Sequence, residues 1–189
     1  MTVQKKLGFA GALICIAVAL IGLSQVLSTP EGLAAIERVT TDEEALFKEV
    51  FPPGEAFSTK EGRYPHYKAY VTNPDTGEPE VTGLVFYTVE IEPDEFGYES
   101  RLEFLVGMTT GGTITGIKLI DHFEPFGYFS IEPEEFAEQF DQKSILDRFE
   151  QGRDIEAISR ATITIDSAAR VIRLASRKIA RQYLEETQQ

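Results

Sequence analysis

Residues 101–120 read RLEFLVGMTTGGTITGIKLI, and this stretch predicts a β-hairpin. Its two arms, residues 101–108 and 113–120, flank the turn sequence Thr-Thr-Gly-Gly. In the first arm Leu102, Phe104 and Val106 share one face, because successive side chains of a strand point to opposite sides. The hairpin therefore predicts an antiparallel sheet that buries at least this face.

Two more strands are predicted before the hairpin, at residues 67–71 and 81–91, with the turn-rich sequence Asn-Pro-Asp-Thr-Gly-Glu-Pro between them. Gly83, inside the second of these strands, indicates a bulge or a close approach of another group. A helix is predicted from about Thr40, which is a suitable cap followed by acidic residues, and it ends before Pro52.

After the hairpin, residues 123–130 are interpreted as an aromatic loop, and short helices are predicted at residues 133–140 and 144–149. From Asp166 onward apolar residues recur at helical spacing and predict a long final helix: Ala168, Val171, Ile172, Ala175, Ile179 and Tyr183. The order helix, strands, loop, helix predicts an α+β domain in which helices pack on an antiparallel sheet.

The composition excludes several functions. Residues 1–30 contain Lys5, Lys6 and no acid, so the remainder of this chain of net charge −13 carries about −15, which is unsuited to a nucleic-acid backbone. Cys15 is the single cysteine of the sequence, so no disulfide can form within the chain. One cysteine and two histidines also argue against a cysteine- or histidine-rich metal centre. No metal is expected.

The N-terminal run predicts a membrane anchor. Residues 7–23 contain no charge, and Val26 and Leu27 extend the apolar character. A spanning helix needs roughly 17–25 residues, whereas the core of a cleaved signal peptide, the alternative, has about 7–15. Lys5 and Lys6 favour a cytoplasmic N-terminus. We therefore expect residues 1–29 to form a cytoplasmic stub and anchor, spanning at residues 7–27, and residues 30–189 to lie outside the membrane.

Residues 156–164, EAISRATIT, are rich in hydroxyl groups and precede the final helix. The free N–H groups and partial positive charge of a helix N-terminus suit a phosphate, and a threonine there can bind the phosphate or be esterified to it. Taken alone, these residues favour an ordinary threonine-rich strand, followed by a helix cap at Asp166 or Ser167. Alternation along such a strand puts Thr162 and Thr164 on the same side.

The same segment resembles the flavinylation motif of the FMN-binding domain family, which runs Asp-x-x-Ser/Thr-Gly-Ala-Thr. That family includes the G subunit of the Rnf electron-transport complex, the C subunit of the sodium-pumping NADH:quinone reductase and the outer domain of NosR-type proteins. The motif's matching residues are Ser159, Ala161 and Thr162, followed by Thr164. Glu156 stands where the family has Asp, and Arg160 where it has Gly. In the family, a separate flavin transferase joins the FMN phosphate of FAD to the motif threonine as a phosphoester.

The likeness extends over roughly residues 80–184. The hairpin resembles the one that leads into the family's Glu-Thr-Pro-Gly loop, and here that loop reads HFEPFGY at residues 122–128, nearer the NosR-like form. The resemblance implies covalent FMN on Thr162, with further cofactor contacts from Ser159, Arg160, Ala161, Thr164, Glu124, Phe126 and Gly127. Arg160 is expected to neutralise the phosphate.

The resemblance also implies a role. The chain is expected to be a membrane-anchored electron-carrying subunit rather than a complete enzyme, with other membrane redox subunits and a flavin transferase as partners. No GxGxxG dinucleotide motif is present. The alternative is an anchored sensor or assembly module without redox function that binds flavin weakly or not at all, which Glu156 and Arg160 favour.

Other residues admit two interpretations. Phe123, Phe126, Tyr128 and Phe129 are equally typical of a wall against the flavin ring and of core packing. His122 is expected to be structural, and no role is assigned to His66. Four arginines lie along the final helix: Arg170, Arg173, Arg177 and Arg181. They are expected to pair with acids such as Glu132, Glu134 and Glu135. The alternative is that they dock an acidic partner or lipid.

Overall fold

The computed structural model describes residues 31–34 and 36–188. The predicted span at residues 7–27 lies outside them. Within the described part of the chain, no helix combines the length and the apolar character needed to cross a membrane.

Five antiparallel strands form one sheet in which neighbours in sequence are neighbours in space. The strands are β1 (Ala56–Phe57), β2 (Tyr67–Thr72), β3 (Pro79–Tyr87), β4 (Glu103–Thr109) and β5 (Ile114–Asp121). The predicted hairpin is β4 and β5, in which Val106 pairs with Ile117. The α+β prediction for this region is thus confirmed.

Six helices accompany the sheet in the described residues: α1 (Glu31–Ala34), α2 (Thr41–Val50), α3 (Thr88–Ile91), α4 (Gly127–Ser130), α5 (Glu134–Glu138) and α6 (Thr162–Thr187). The predicted cap of α2 is confirmed, since the Thr40 hydroxyl accepts from the Glu43 N–H and the Glu43 carboxylate accepts from the Thr40 N–H.

Helices cover both faces of the sheet. Leu84, Phe104 and Val106 face α6 and form the larger core with Ile165 and Ile172. The alternate strand residues Val85 and Leu105 face α2, where they pack with Phe47 and Val50. Because both faces are buried, β4 alternates between two apolar surfaces rather than between core and solvent.

Glycines allow α2 to lie close against the sheet. Gly107 and Gly116 pair across β4 and β5, and a Cβ on Gly107 would lie 2.3 Å from the Val50 carbonyl oxygen. The same carbonyl accepts a hydrogen bond from the Thr115 hydroxyl at 2.6 Å. At Gly83 a Cβ would overlap the Phe51 ring, so the close approach predicted there is confirmed.

The strand predicted at residues 81–91 ends earlier, at Tyr87, and residues 88–91 form α3 instead. The buried Thr88 causes this change. Its hydroxyl donates to the Leu102 carbonyl and accepts from the Phe104 N–H, at 3.2 and 2.9 Å, so a side chain replaces the next backbone pair of the ladder.

The short helix predicted at residues 144–149 is absent. Ser144 instead forms an isolated bridge with Thr113, and Phe149, at a φ of 50°, lies in the left-handed region, which ends any helical run. The helix predicted at residues 133–140 exists but is limited to α5. The loop predicted at residues 123–130 contains the short helix α4.

We expect Thr88→Val to lower the free energy of unfolding by about 1–3 kcal/mol, because it leaves the buried Phe104 N–H without its acceptor. Urea denaturation at neutral pH measures this loss. Thr88→Ser, which keeps the hydroxyl, should recover most of it, and a valine variant as stable as the parent would contradict the assignment.

Candidate functional site

The motif residues line a pocket of about 280 Å³ at the N-terminus of α6. Its walls come from three parts of the chain: the segment before β4, the loop after β5, and the turn leading into α6. The lining residues are Tyr98, Phe126, Arg160, Ala161, Thr162, Ile163 and Thr164. Four of the residues predicted to contact the cofactor through the motif are therefore brought together in one place.

A larger cavity, of about 500 Å³, lies along β5 and α5. Its lining includes Glu49, Glu132, Glu134, Glu138 and Asp141, against one lysine, Lys118. Such a surface repels anionic ligands. We assign the site to the smaller pocket because its hydrogen-bond donors, rather than its volume, suit a phosphate.

The final helix begins at Thr162, four residues before the predicted start at Asp166. The expected cap at Asp166 or Ser167 is therefore wrong, because both residues lie inside the helix. The capping position is occupied by Ala161, whose side chain cannot accept a hydrogen bond. The backbone N–H groups of the first turn consequently point toward the pocket end of the helix without a side-chain partner.

The strand alternation predicted for Thr162 and Thr164 is also wrong, because the segment is helical. Both belong to the first turn of α6, where residues two apart lie about 200° apart around the axis. Both line the pocket, but Thr162 is exposed, whereas Thr164 is 2 % exposed and its hydroxyl donates to the Glu124 carboxylate. The helical geometry thus separates the two hydroxyls that the sequence alone left equivalent.

Beneath the pocket, Glu124 accepts hydrogen bonds with both carboxylate oxygens. Oε2 accepts from the Thr164 hydroxyl at 2.6 Å and from the Tyr98 N–H at 2.9 Å. Oε1 accepts from the N–H groups of Glu99 and Ser100, at 2.9 and 3.0 Å. These groups form the Glu124 cluster: the carboxylate, the Thr164 hydroxyl and the three N–H groups of residues 98–100. The cluster joins the loop after β5 to the segment before β4 and to α6.

Burial by itself raises the pKa of the Glu124 carboxyl, because it disfavours the charged form. The hydrogen bonds from Thr164 and from the backbone of Glu99, Ser100 and Tyr98 outweigh burial and hold this pKa below its usual value. The carboxylate is therefore ionised at neutral pH. Gly97 also serves the cluster, because a Cβ there would lie 2.5 Å from Oε1.

Arg160 occupies the position where the resembled family has glycine, and its φ of 73° lies in the left-handed region. Glycine adopts that region without the steric cost that a Cβ brings. The turn at Ser159 and Arg160 thus has a backbone conformation that glycine, the motif's residue at this position, adopts more readily than arginine. Arg160 is exposed at the pocket and pairs with no carboxylate in residues 31–34 or 36–188.

The four aromatic residues of the loop after β5 differ in exposure and in their relation to the pocket, although the rings of Phe126 and Tyr128 both pack against Phe129. Phe126 lines the pocket and is 41 % exposed, and Ile163 beside it is 54 % exposed. Phe123 and Tyr128 are more exposed and do not line the pocket, and Phe129 packs partly against the larger core. Tyr98, which the sequence did not single out, supplies the second aromatic wall.

Two predicted site residues, Gly127 and Ser159, are not among the residues that line the pocket. Gly127 is buried under the His122 ring, which a Cβ would overlap. The His122 Nδ1 atom accepts from the Glu124 N–H at 3.0 Å, so this histidine orients the Glu-Pro loop. Ser159 is exposed in the turn before the pocket, and Glu156 is exposed, with its N–H on the Gln139 side chain.

The arginines of α6 make internal contacts, but not with the acids expected. Arg170 pairs with Glu95 at 2.8 Å. Arg173 and Arg177 donate to backbone carbonyls of residues 145–148, and thereby fix that loop against the helix. Arg181 is exposed. The predicted partners Glu132, Glu134 and Glu135 do not take part.

The model of the FMN-binding domain family matches residues 97–176. The match begins at Gly97, includes the Glu-Pro loop and the hydroxyl-rich motif, and ends within α6. The resemblance inferred from the sequence is confirmed over this stretch. No curated protein matches the chain.

We expect Arg160→Gly to raise the free energy of unfolding by up to about 1 kcal/mol, because glycine removes the steric cost of a left-handed residue. Urea denaturation measures the change. Arg160→Ala is the matched control, since it removes the guanidinium but keeps the Cβ. If both variants change stability equally, the backbone conformation is not the cause.

We expect the stability of the protein to depend on the ionisation of Glu124. Because folding lowers its pKa, the stabilisation is complete above the ordinary value near 4.5 and is lost as the pH falls below it. At pH 7 the free energy of unfolding of the parent should exceed that of Glu124→Gln by about 2 kcal/mol or more, because the glutamine side chain places an N–H group among three backbone N–H donors. Urea denaturation from pH 7 to pH 3 should show this gap narrowing below pH 4.5, and a constant gap would contradict the prediction.

Proposed function

Because residues 97–176 belong to the FMN-binding domain family, we propose that this protein holds FMN through a phosphoester to Thr162 and acts as an electron-carrying subunit. The observation that supports this most directly is the position of Thr162. Its hydroxyl is the exposed one of the pair in the first turn of α6, and it opens into the pocket.

The groups around Thr162 fit the phosphate of FMN. The uncapped first turn of α6 supplies N–H donors and the positive end of the helix dipole. Arg160, which pairs with no carboxylate among the described residues, adds a positive charge at the same pocket, in a chain of net charge −13. Ser159 lies one residue before Arg160, within the same turn. A phosphodiester keeps one negative charge after attachment, which these donors neutralise.

The apolar part of the pocket suits a flat aromatic ring. Tyr98, Phe126 and Ile163 are all more than one-third exposed. Large apolar side chains that remain exposed side by side commonly mark a binding site. Rings of this kind pack well against a flavin, and the flavin, when bound, accepts and donates electrons.

We propose that attachment uses FAD and a flavin transferase, as the family resemblance implies. Thr162 Oγ1 forms a bond to the FMN phosphorus, the pyrophosphate P–O bond of FAD breaks, and AMP leaves with the electron pair of that bond. The hydroxyl proton goes to solvent. Ala161 is buried and Thr162 is exposed, so the nucleophile is accessible without unfolding of the helix.

We further propose that residues 7–27 anchor the protein in the cell membrane, with the N-terminus in the cytoplasm and the flavin domain outside. The charge-free run and the two preceding lysines support this topology. Other membrane redox subunits are the proposed partners, because a carrier needs both a donor and an acceptor.

An anchored module without redox function is the second candidate. The bulky Arg160 at the motif's glycine position favours it, because the transferase must approach the same turn. Intact mass distinguishes the candidates. Covalent FMN adds about 438 Da, the mass of FMN less one water. FMN that is lost on denaturation indicates non-covalent binding, and the absence of flavin indicates the module.

We expect Thr162→Ala to abolish covalent flavin while leaving the fold intact, because this side chain is exposed and makes no hydrogen bond to the residues that the structure describes. Full-length protein produced with a flavin transferase is examined by intact mass and by mapping of the flavin-bearing peptide. Thr162→Ser, which keeps a hydroxyl, is the matched control. Flavin found on Ser159 or Thr164, or retained by the alanine variant, would show that the attachment residue is another one.

A further inference from the structure

The Glu124 cluster suggests a role beyond fold stability. It lies directly below the pocket and contacts two of the three parts of the chain that form its walls. The cluster includes Thr164, which the family resemblance places among the cofactor contacts. Yet the Thr164 hydroxyl already donates to a carboxylate at 2.6 Å and is buried.

We propose that Glu124 is a positioning residue that selects Thr162 as the attachment site by binding Thr164 and fixing the first turn of α6. This inference rests on the proposed attachment of FMN. It assigns Glu124 and Thr164 to the support of the site rather than to contact with the flavin or its phosphate.

The Glu124 carboxylate and the Thr164 hydroxyl are already occupied by hydrogen bonds within the protein. Glu124 accepts hydrogen bonds on both oxygens, and it is only 6 % exposed. A flavin group that approached this carboxylate would have to displace a backbone N–H of residues 98–100. The Thr164 hydroxyl has its only hydrogen in the bond to Glu124, so it cannot also donate to a phosphate.

The negative charge of the Glu124 carboxylate also affects where a phosphate can approach α6. An ionised carboxylate buried near the start of α6 repels a phosphate that approaches from its own side of the helix. Thr164 is bonded to that carboxylate and buried, whereas Thr162 is exposed and lies about 200° around the axis, although both threonines line the pocket with Arg160. The anion is therefore directed to Thr162, because the charged side chain that lines the pocket, Arg160, is positive.

The hydrogen bonds of the Glu124 cluster also fix the positions of the pocket walls. The bond from Thr164 fixes the rotation of the first turn of α6, and the bonds from Tyr98, Glu99 and Ser100 fix the segment that carries the aromatic wall. Loss of one bond loosens both walls relative to the Thr162 hydroxyl. Small errors of position slow a transfer reaction strongly.

The test uses full-length Thr164→Val, which removes the hydroxyl but keeps the shape of the side chain. We expect the initial rate of flavin attachment, with purified transferase and FAD, to fall about tenfold or more. Thr164→Ser should restore it. Thr88→Val is the matched control, because it too removes a buried hydroxyl. The Thr88 hydroxyl accepts from the Phe104 N–H and lies outside the pocket. Thr88→Val should retain the rate of the parent at a temperature where all variants are folded.

Amide hydrogen exchange of the unmodified proteins gives a second readout that needs no flavin. Thr164→Val should speed exchange at residues 98–100 by about tenfold, and Thr88→Val should not. If Thr164→Val attaches flavin at the parental rate, or if Thr88→Val is slowed as much, the proposal is overturned. If the parent itself takes up no flavin, the proposed attachment fails, and unchanged exchange at residues 98–100 would then overturn the positional role as well.

Discussion

The bonds of the Glu124 carboxylate set the geometry on which the pocket depends. They connect a segment before β4, a loop after β5 and the first turn of α6, which are distant in sequence. A buried charge is tolerated only when donors surround it, and here four donors at 2.6–3.0 Å do so. Removal of any one donor leaves a charged group partly unsatisfied, so the three segments depend on one another.

The sheet and α6 provide the frame for this cluster. The side of the sheet formed by Leu84, Phe104 and Val106 packs on the apolar stripe of α6, and this contact fixes where the helix begins relative to β4 and β5. The glycine pair Gly107 and Gly116 lets α2 cover the opposite face. With both faces buried, the ends of the strands have little freedom, and the loops that leave them are held at one edge of the domain.

Several features of the fold followed from local rules. The β4–β5 hairpin was predicted from its turn sequence and flanking strands, and the start of α2 from Thr40 and the acidic residues after it. Other features were predicted wrongly, because they depend on contacts between distant residues. The Thr88 hydroxyl ends β3 by bonding to β4, and α6 begins at Thr162 because Ala161 is buried in the core rather than because a polar cap is present.

The sequence by itself determined the chemical types at the site: a hydroxyl-rich turn before an amphipathic helix, an arginine at its centre and a Glu-Pro loop after a hairpin. It also indicated a resemblance to the FMN-binding domain family, whose model matches residues 97–176. Only the tertiary structure decided which of these groups are available. The sequence does not distinguish the Thr162 and Thr164 hydroxyls, but the helical rotation between them leaves Thr162 exposed and buries Thr164 against Glu124. Tyr98 joins the pocket, and Glu124 is withdrawn from it, because burial and hydrogen bonding depend on how distant segments meet.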